Sequence, residues 1–247
     1  MKRVAAALCA GIGLAAAGAP AAGAGTVRPI DATGPLGSAR LSNERTVTRW
    51  ANPLRNAPIR TRPSVGSRRV ARLRTMTEDG MPEVYLALSS RRARGHRVWI
   101  RVRIPGRPNG RKGWVRRDAL GHLHVVTTAL RIDRARSRAT LRRGGRIAWR
   151  SPIGHGAAGM ATPAGRFYIR ERLDNRGGDP VYGPLAFGTS AYSALSDWPG
   201  GGVIGIHGTN QPWLIPGRPS HGCIRVPNPA IVRLARLMPI GTPIRIR

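Results

Sequence analysis

Lysine is nearly missing from this sequence, acidic residues are scarce, and only two cysteines occur in 247 residues. Lys2 and Lys112 are the only lysines, so 40 of the 42 basic side chains are arginine, against 11 acidic ones and a formal charge of +31. No apolar run reaches the ~18–20 residues, free of turn formers, that a transmembrane helix requires. Hydrophobic residues at 41% and six tryptophans nevertheless exclude a disordered polycation. An arginine-rich chain suggests nucleic acid at first sight. The N-terminus argues otherwise: Met1, Lys2 and Arg3 precede a small, apolar, Ala/Gly-rich stretch over 4–19, and Ala22, Gly23 and Ala24 form a small-x-small cleavage pattern. Residues 1–24 are therefore expected to be an export signal, placing the protein in the periplasm, the cell wall or the extracellular space. There no genome is met, and the available polyanions are those of the wall. Beyond residue 24 the charge is +29, and Cys9 has gone with the signal. Cys223 is then the only thiol, so no intramolecular disulfide can form.

Residues 25–45, rich in Gly, Pro, Ser and charge, read as a linker. From 46 to 120 short strand-like runs alternate with turn chemistry. Val98, Ile100, Val102 and Ile104 share one face of an alternating run, and Pro108, Asn109 and Gly110 mark a turn. A second β-rich segment spans 122–247. Arg142, Arg143, Gly144 and Gly145 read as a hairpin turn, and Ile244 and Ile246 as one face of a closing strand. One helix is expected late, with Asn228 as N-cap, Pro229 in its first turn and apolar positions at helical spacing over 230–238. Strands with one late helix exclude a doubly wound βαβ sheet. The fold class is mainly β in two modules, and the arginines punctuating the strands read as solvated outer-face residues.

Chemistry concentrates near the end of the chain. A strand-like run ends at His207, followed by Gly208 and Thr209; thirteen residues after His207 comes Ser-His-Gly-Cys-Ile-Arg over 220–225. A thiol nucleophile needs a base or a depressed pKa, and His207 can supply the base. His221 lies on the same side as Cys223 if the stretch is extended. Gly222 lets a carbonyl approach the thiol, and the Gly222 and Cys223 amides are candidate oxyanion donors. Arg225, on the face of Cys223, is a candidate for pairing a substrate carboxylate. His207, His221 and Cys223 are also competent zinc ligands, but no Asp or Glu follows Asp197 to complete a site, so neither metal nor cofactor is assigned. His96, His122, His124 and His155 read as structural or solvated, while Trp198 and Trp213 flank the constellation as core or groove residues.

These residues resemble the active-site signature of the YkuD-type L,D-transpeptidases. The likeness rests on residues 220–225 following His207, Gly208 and Thr209, on Ala-Thr-Pro-Ala-Gly-Arg-Phe over 161–167, and on Tyr182-Gly-Pro184 with Ser190-Ala-Tyr192. Residues 46–120 resemble bacterial SH3-like domains through 109–118 and 59–64, which implies a small β-barrel that often binds wall components. The transpeptidase resemblance implies Cys223 as nucleophile, His207 as base and later acid, the Gly208 carbonyl as orienter of His207, and His221 shaping the pocket, with Ser220, Gly222 and Arg225 around the substrate. It implies attack on peptidoglycan tetrapeptide stems, release of D-Ala, 3→3 cross-links that bear on wall biogenesis and cell shape, a monomer, and inactivation by carbapenems. With water as acceptor the same site would be an L,D-carboxypeptidase, and with the SH3-like module dominant the protein would be a wall-binding adaptor. A papain-like wall hydrolase is disfavoured, because there the cysteine precedes the histidine.

Overall fold

A computed structural model describes residues 38–194 and 202–247. The expected signal over 1–24 and Trp198 lie outside the described residues. The described chain is mainly β, in two antiparallel-dominated sheets with a single α-helix among the described residues. The mainly β class with one late helix is thus what the structure has.

The first sheet contains β1 (Ser38–Arg40), β2 (Thr48–Ala51), β3 (Pro58–Arg60), β4 (Arg69–Arg72), β5 (Tyr85–Arg92), β6 (Val98–Arg103), β7 (Lys112–Arg116) and β8 (His124–Val126). Its order is β4-β3-β7-β6-β5-β2-β8, with β1 paired to β5. The alternation read at 98–104 sorts as expected, with Ile100, Val102 and Ile104 in a core that also holds Leu41, Ile59, Leu73 and Val115. Two expected boundaries move. The linker read over 25–45 ends early, since Ser38–Arg40 is already a strand on β5 and Leu41 is buried. The second module read from 122 begins later, because β8 pairs with β2 and so belongs to the first sheet.

The second sheet contains β9 (Thr128–Asp133), β10 (Arg138–Arg143), β11 (Arg146–Pro152), β12 (Gly154–Gly156), β13 (Gly165–Asp174), β14 (Leu185–Tyr192), β15 (Val203–His207), β16 (Gly217–Ser220), β17 (Ile224–Arg225) and β18 (Pro243–Ile246). The order is β11-β10-β9-β18-β13-β14-β15-β17-β12-β16. Gly144 and Gly145, both at positive φ, make the tight turn between β10 and β11 that two left-handed residues allow. Helix α1 (Asn228–Leu237) packs Ile231 and Leu234 into the core with Phe167, Phe187, Ile206 and Ile244. Burying each such side chain contributes roughly 1.5–3 kcal/mol, so this face, not helix propensity, holds α1 in place.

The sheets meet along a seam that is both apolar and charged. Val84 and Leu86 pack on Tyr168, and Gly241, at φ +78°, lies where any side chain would collide with the Trp50 indole. Arg170, 1% exposed, pairs with the fully buried Glu83 and reaches Glu78 at 2.9 Å and the Tyr192 hydroxyl at 3.1 Å. The Tyr192 hydroxyl donates to Glu78 at 2.7 Å. Asn109 binds both backbone groups of Tyr192, accepting from its amide at 3.0 Å and donating to its carbonyl at 2.8 Å.

Candidate active site

The register of one parallel strand pair assembles the site. Strands β15 and β17 run parallel with Ile206 opposite Ile224 and His207 opposite Arg225. Side chains alternate along a strand, so the isoleucines enter the core while His207 and Arg225 share the other face. Cys223 and Gly205 lie two residues before these and fall on the same face. A methyl group on Gly205 would sit 3.6 Å from His207 Cδ2 and 3.7 Å from Cys223 Sγ. The imidazole edge carrying Nε2 and the thiol therefore flank one small space that a missing side chain leaves open.

Hydrogen bonds define the protonation of both groups. His207 Nδ1 lies 2.6 Å from the Gly208 carbonyl, which can only accept, so Nδ1 carries the proton and Nε2 keeps its lone pair. The Gly205 amide donates to Cys223 Sγ at 3.3 Å, and the Val203 carbonyl lies 4.0 Å from Sγ on the acceptor side. Burial pulls His207 down to about 4, outweighing the Gly208 carbonyl, with the Arg225 charge acting in the same direction as burial. Burial also pushes the Cys223 thiol up, against the Gly205 amide and the Arg225 charge. At neutral pH the pair is thus imidazole and thiol, not imidazolium and thiolate. The ring of Tyr182 packs edge-on against His207 at 5.0 Å, and its own hydroxyl is raised by burial first and by the Cys223 charge second.

The nucleophile turn is held from behind. Ser220 Oγ donates to the Cys223 carbonyl at 2.6 Å and accepts from the Gly222 amide at 3.2 Å. Two sequence-level roles are corrected here. The Gly222 amide is engaged inside the turn rather than presented as an oxyanion donor, and the buried Ser220 hydroxyl staples that turn rather than facing substrate. Gly222 is glycine for its backbone, with φ +126° and Ile204 2.9 Å from where a Cβ would lie. Thr162, fully buried, accepts from the Gly156 amide at 2.9 Å and donates to the Gly222 carbonyl at 2.7 Å. His221 is exposed on the same turn.

Arg225 is half-buried and donates to Gln211 Oε1 at 2.7 Å. Among the described residues no carboxylate lies within ion-pair distance of it. Asn228 is not the helix cap; Pro227 takes that place, and Asn228 begins α1 and accepts the Thr209 amide at 2.8 Å, tying down the loop after His207. Thr162, Gln211 and Tyr182 carry no individual role in the sequence reading, and Asn228 has only that of a cap. Thr162 and Tyr182 sat in recognised motifs without an evident partner, and Asn228 looked like a cap because it precedes a proline. Trp213 is exposed. Among the described residues no three His, Cys, Asp or Glu side chains converge as metal ligands.

Residues 127–246 match the family model for the L,D-transpeptidase catalytic domain, YkuD. The YkuD protein of Bacillus subtilis (strain 168) is 36% identical over 107 residues, 43% of this chain and 58% of its own. That of Bacillus licheniformis is 37% identical over 95 residues, 38% of this chain and 50% of its own. The chain thus spans between half and three-fifths of the length of these curated relatives. The catalytic domain of the E. faecium L,D-transpeptidase, a solved structure, aligns with 49% of this chain and 96% of its own at 23% identity and a TM-score of 0.38.

Proposed function

With residues 127–246 carrying an L,D-transpeptidase catalytic domain, we propose that the protein is an exported acyltransferase acting on peptidoglycan tetrapeptide stems through a thioester on Cys223. The observation carrying this is the placement of Cys223 Sγ and His207 Cδ2 on either side of Gly205, with Nδ1 of His207 engaged by the Gly208 carbonyl.

The neutral pair dictates the order of events. As Sγ attacks the carbonyl between stem residues three and four, its proton passes to His207 Nε2 and the Sγ–C bond forms. The Cys223 amide is the remaining oxyanion donor of the two considered, given that Gly222 is engaged in the turn. The C–N bond then breaks, His207 returns its proton to the departing D-Ala amine, and a thioester remains. A side-chain amine of a second stem attacks the thioester and gives a proton to His207; the C–S bond breaks and Cys223 recovers the proton, leaving a 3→3 cross-link. Arg225, held by Gln211, offers its remaining N–H groups to a substrate carboxylate. His221, exposed beside the thiol, borders the entrance. Residues 46–120 are read as an SH3-like module facing wall polymer, and the +29 charge beyond residue 24 would hold the enzyme near polyanions in a salt-sensitive way.

The test is product analysis with a purified disaccharide-tetrapeptide. The expected products are free D-Ala and a cross-linked dimer, both absent with Cys223→Ala. Persistence of either in that variant would refute the assignment of the nucleophile.

A further inference from the structure

A cavity of about 500 Å³ opens beside the turn after β9, on the side of β12 and β16. Its walls include Arg134, Ser137, His155, Thr162, Arg218 and Arg247, but neither Cys223 nor His207. Three arginines line this one space, and their charges are unequally balanced. Arg247 pairs with Asp133 at 2.8 Å. Among the described residues, Arg134 and Arg218 have no carboxylate side chain in ion-pair range. Arg134 is anchored by donating to the Thr162 carbonyl at 2.7 Å, and Arg218 reaches the Gly156 carbonyl at 3.3 Å. Both arginines are therefore oriented by backbone oxygens while their charge is left over. His155, 5% exposed, lines the same space and has no part in the thiol chemistry.

We propose that this cavity binds a phosphate group, either the free ion or a monoester. Two oriented, uncompensated guanidinium groups match a dianion whose oxygens point in several directions, and Ser137 adds a hydroxyl. A single carboxylate would meet one fork and leave the second arginine unpaired. The volume accommodates the phosphate with a small polyol attached. The site does not depend on the chemistry at Cys223. It shares a wall with the nucleophile turn, since Thr162 and Gly156 are the residues that support Gly222.

The experiment follows the imidazole NMR signals of the full chain while inorganic phosphate, glycerol 3-phosphate or acetate is added at constant ionic strength. The expected result is a saturable shift of His155 with phosphate and with the ester but not with acetate, exposed His122 and His124 remaining still. Arg218 is exposed, so Arg218→Gln should fold and should weaken binding about tenfold or more, the loss of one charge-assisted contact. Tighter binding of glycerol 3-phosphate than of inorganic phosphate would identify an esterified ligand, and equal binding the free ion. Acetate binding as well as phosphate, a non-saturating shift of all exposed histidines, or unchanged binding in Arg218→Gln would each overturn the proposal.

Discussion

The seam between the sheets and the thiol site are both buried polar clusters, yet they keep opposite charge states. At the seam, Arg170 is ion-paired with both Glu83 and Glu78, and although burial opposes it, the Tyr192, Arg170 and Arg74 contacts hold Glu78 at about 2. At the site, no carboxylate among the described residues pairs with His207 or Cys223, and burial leaves both neutral. The difference lies in the partners and not in depth. A buried charge persists where an opposite charge and hydrogen bonds replace water, and otherwise the group gives it up. The seam gains fixed geometry from its charges; the site gains a proton that can move.

The comparison can be broken most forcefully at His207. His207→Gln keeps a side chain of similar reach but removes the base, and turnover of a tetrapeptide stem should fall by about 10²–10⁴. A smaller loss would mean that the thiol ionises without help. At the seam, Glu83→Gln leaves Arg170 buried beside a neutral amide, and unfolding by denaturant should show a loss of about 3–5 kcal/mol. Replacing Arg170 and Glu83 together by apolar residues should cost far less, because no charge is then stranded.

Thr162→Val conserves shape and removes the hydroxyl linking Gly156 to Gly222. Stability should drop by about 1–3 kcal/mol, and turnover should fall while KM holds, because the turn under Cys223 loses its support. The smallest effect is expected at Asn109→Ala. Losing two neutral bonds to the Tyr192 backbone should cost about 1–2 kcal/mol in thermal unfolding.

Much of the site was legible because its residues are close in sequence or share a strand face. His207, Cys223 and Arg225 follow from two short segments and their alternation. The engagement of the Gly222 amide is not legible, because a glycine beside a thiol says nothing about where its amide points; Ser220, two residues away, takes it. Thr162 and Asn228 act over gaps of 60 and 19 residues, which no local pattern encodes. In the fold, the alternation at 98–104 and the Gly144–Gly145 turn were readable as local signals. The seam was not. Arg170 is one of 40 arginines, and its burial depends on Glu83, 87 residues earlier. In a sequence this rich in arginine, composition cannot single out the one that is inside. The displaced boundaries have a related cause, since β1 and β8 are three residues each and acquire identity from β5 and β2.

The most direct test of the neutral pair is a pH titration of His207 by NMR in the full protein, with Cys223 alkylation followed in parallel. With His207 depressed to about 4, its ring should stay neutral from pH 8 down to roughly pH 5 and protonate only below that. Activity should fall with it, since the protonated ring cannot accept the thiol proton. Stability should also decline as pH drops through the interval between the unfolded value near 6.5 and about 4, because the unfolded chain takes up the proton first. Alkylation at neutral pH should be slow in the absence of an acyl donor, as expected of a thiol. An imidazolium signal persisting through pH 7, with rapid alkylation of Cys223, would reveal a pre-formed ion pair and contradict the account.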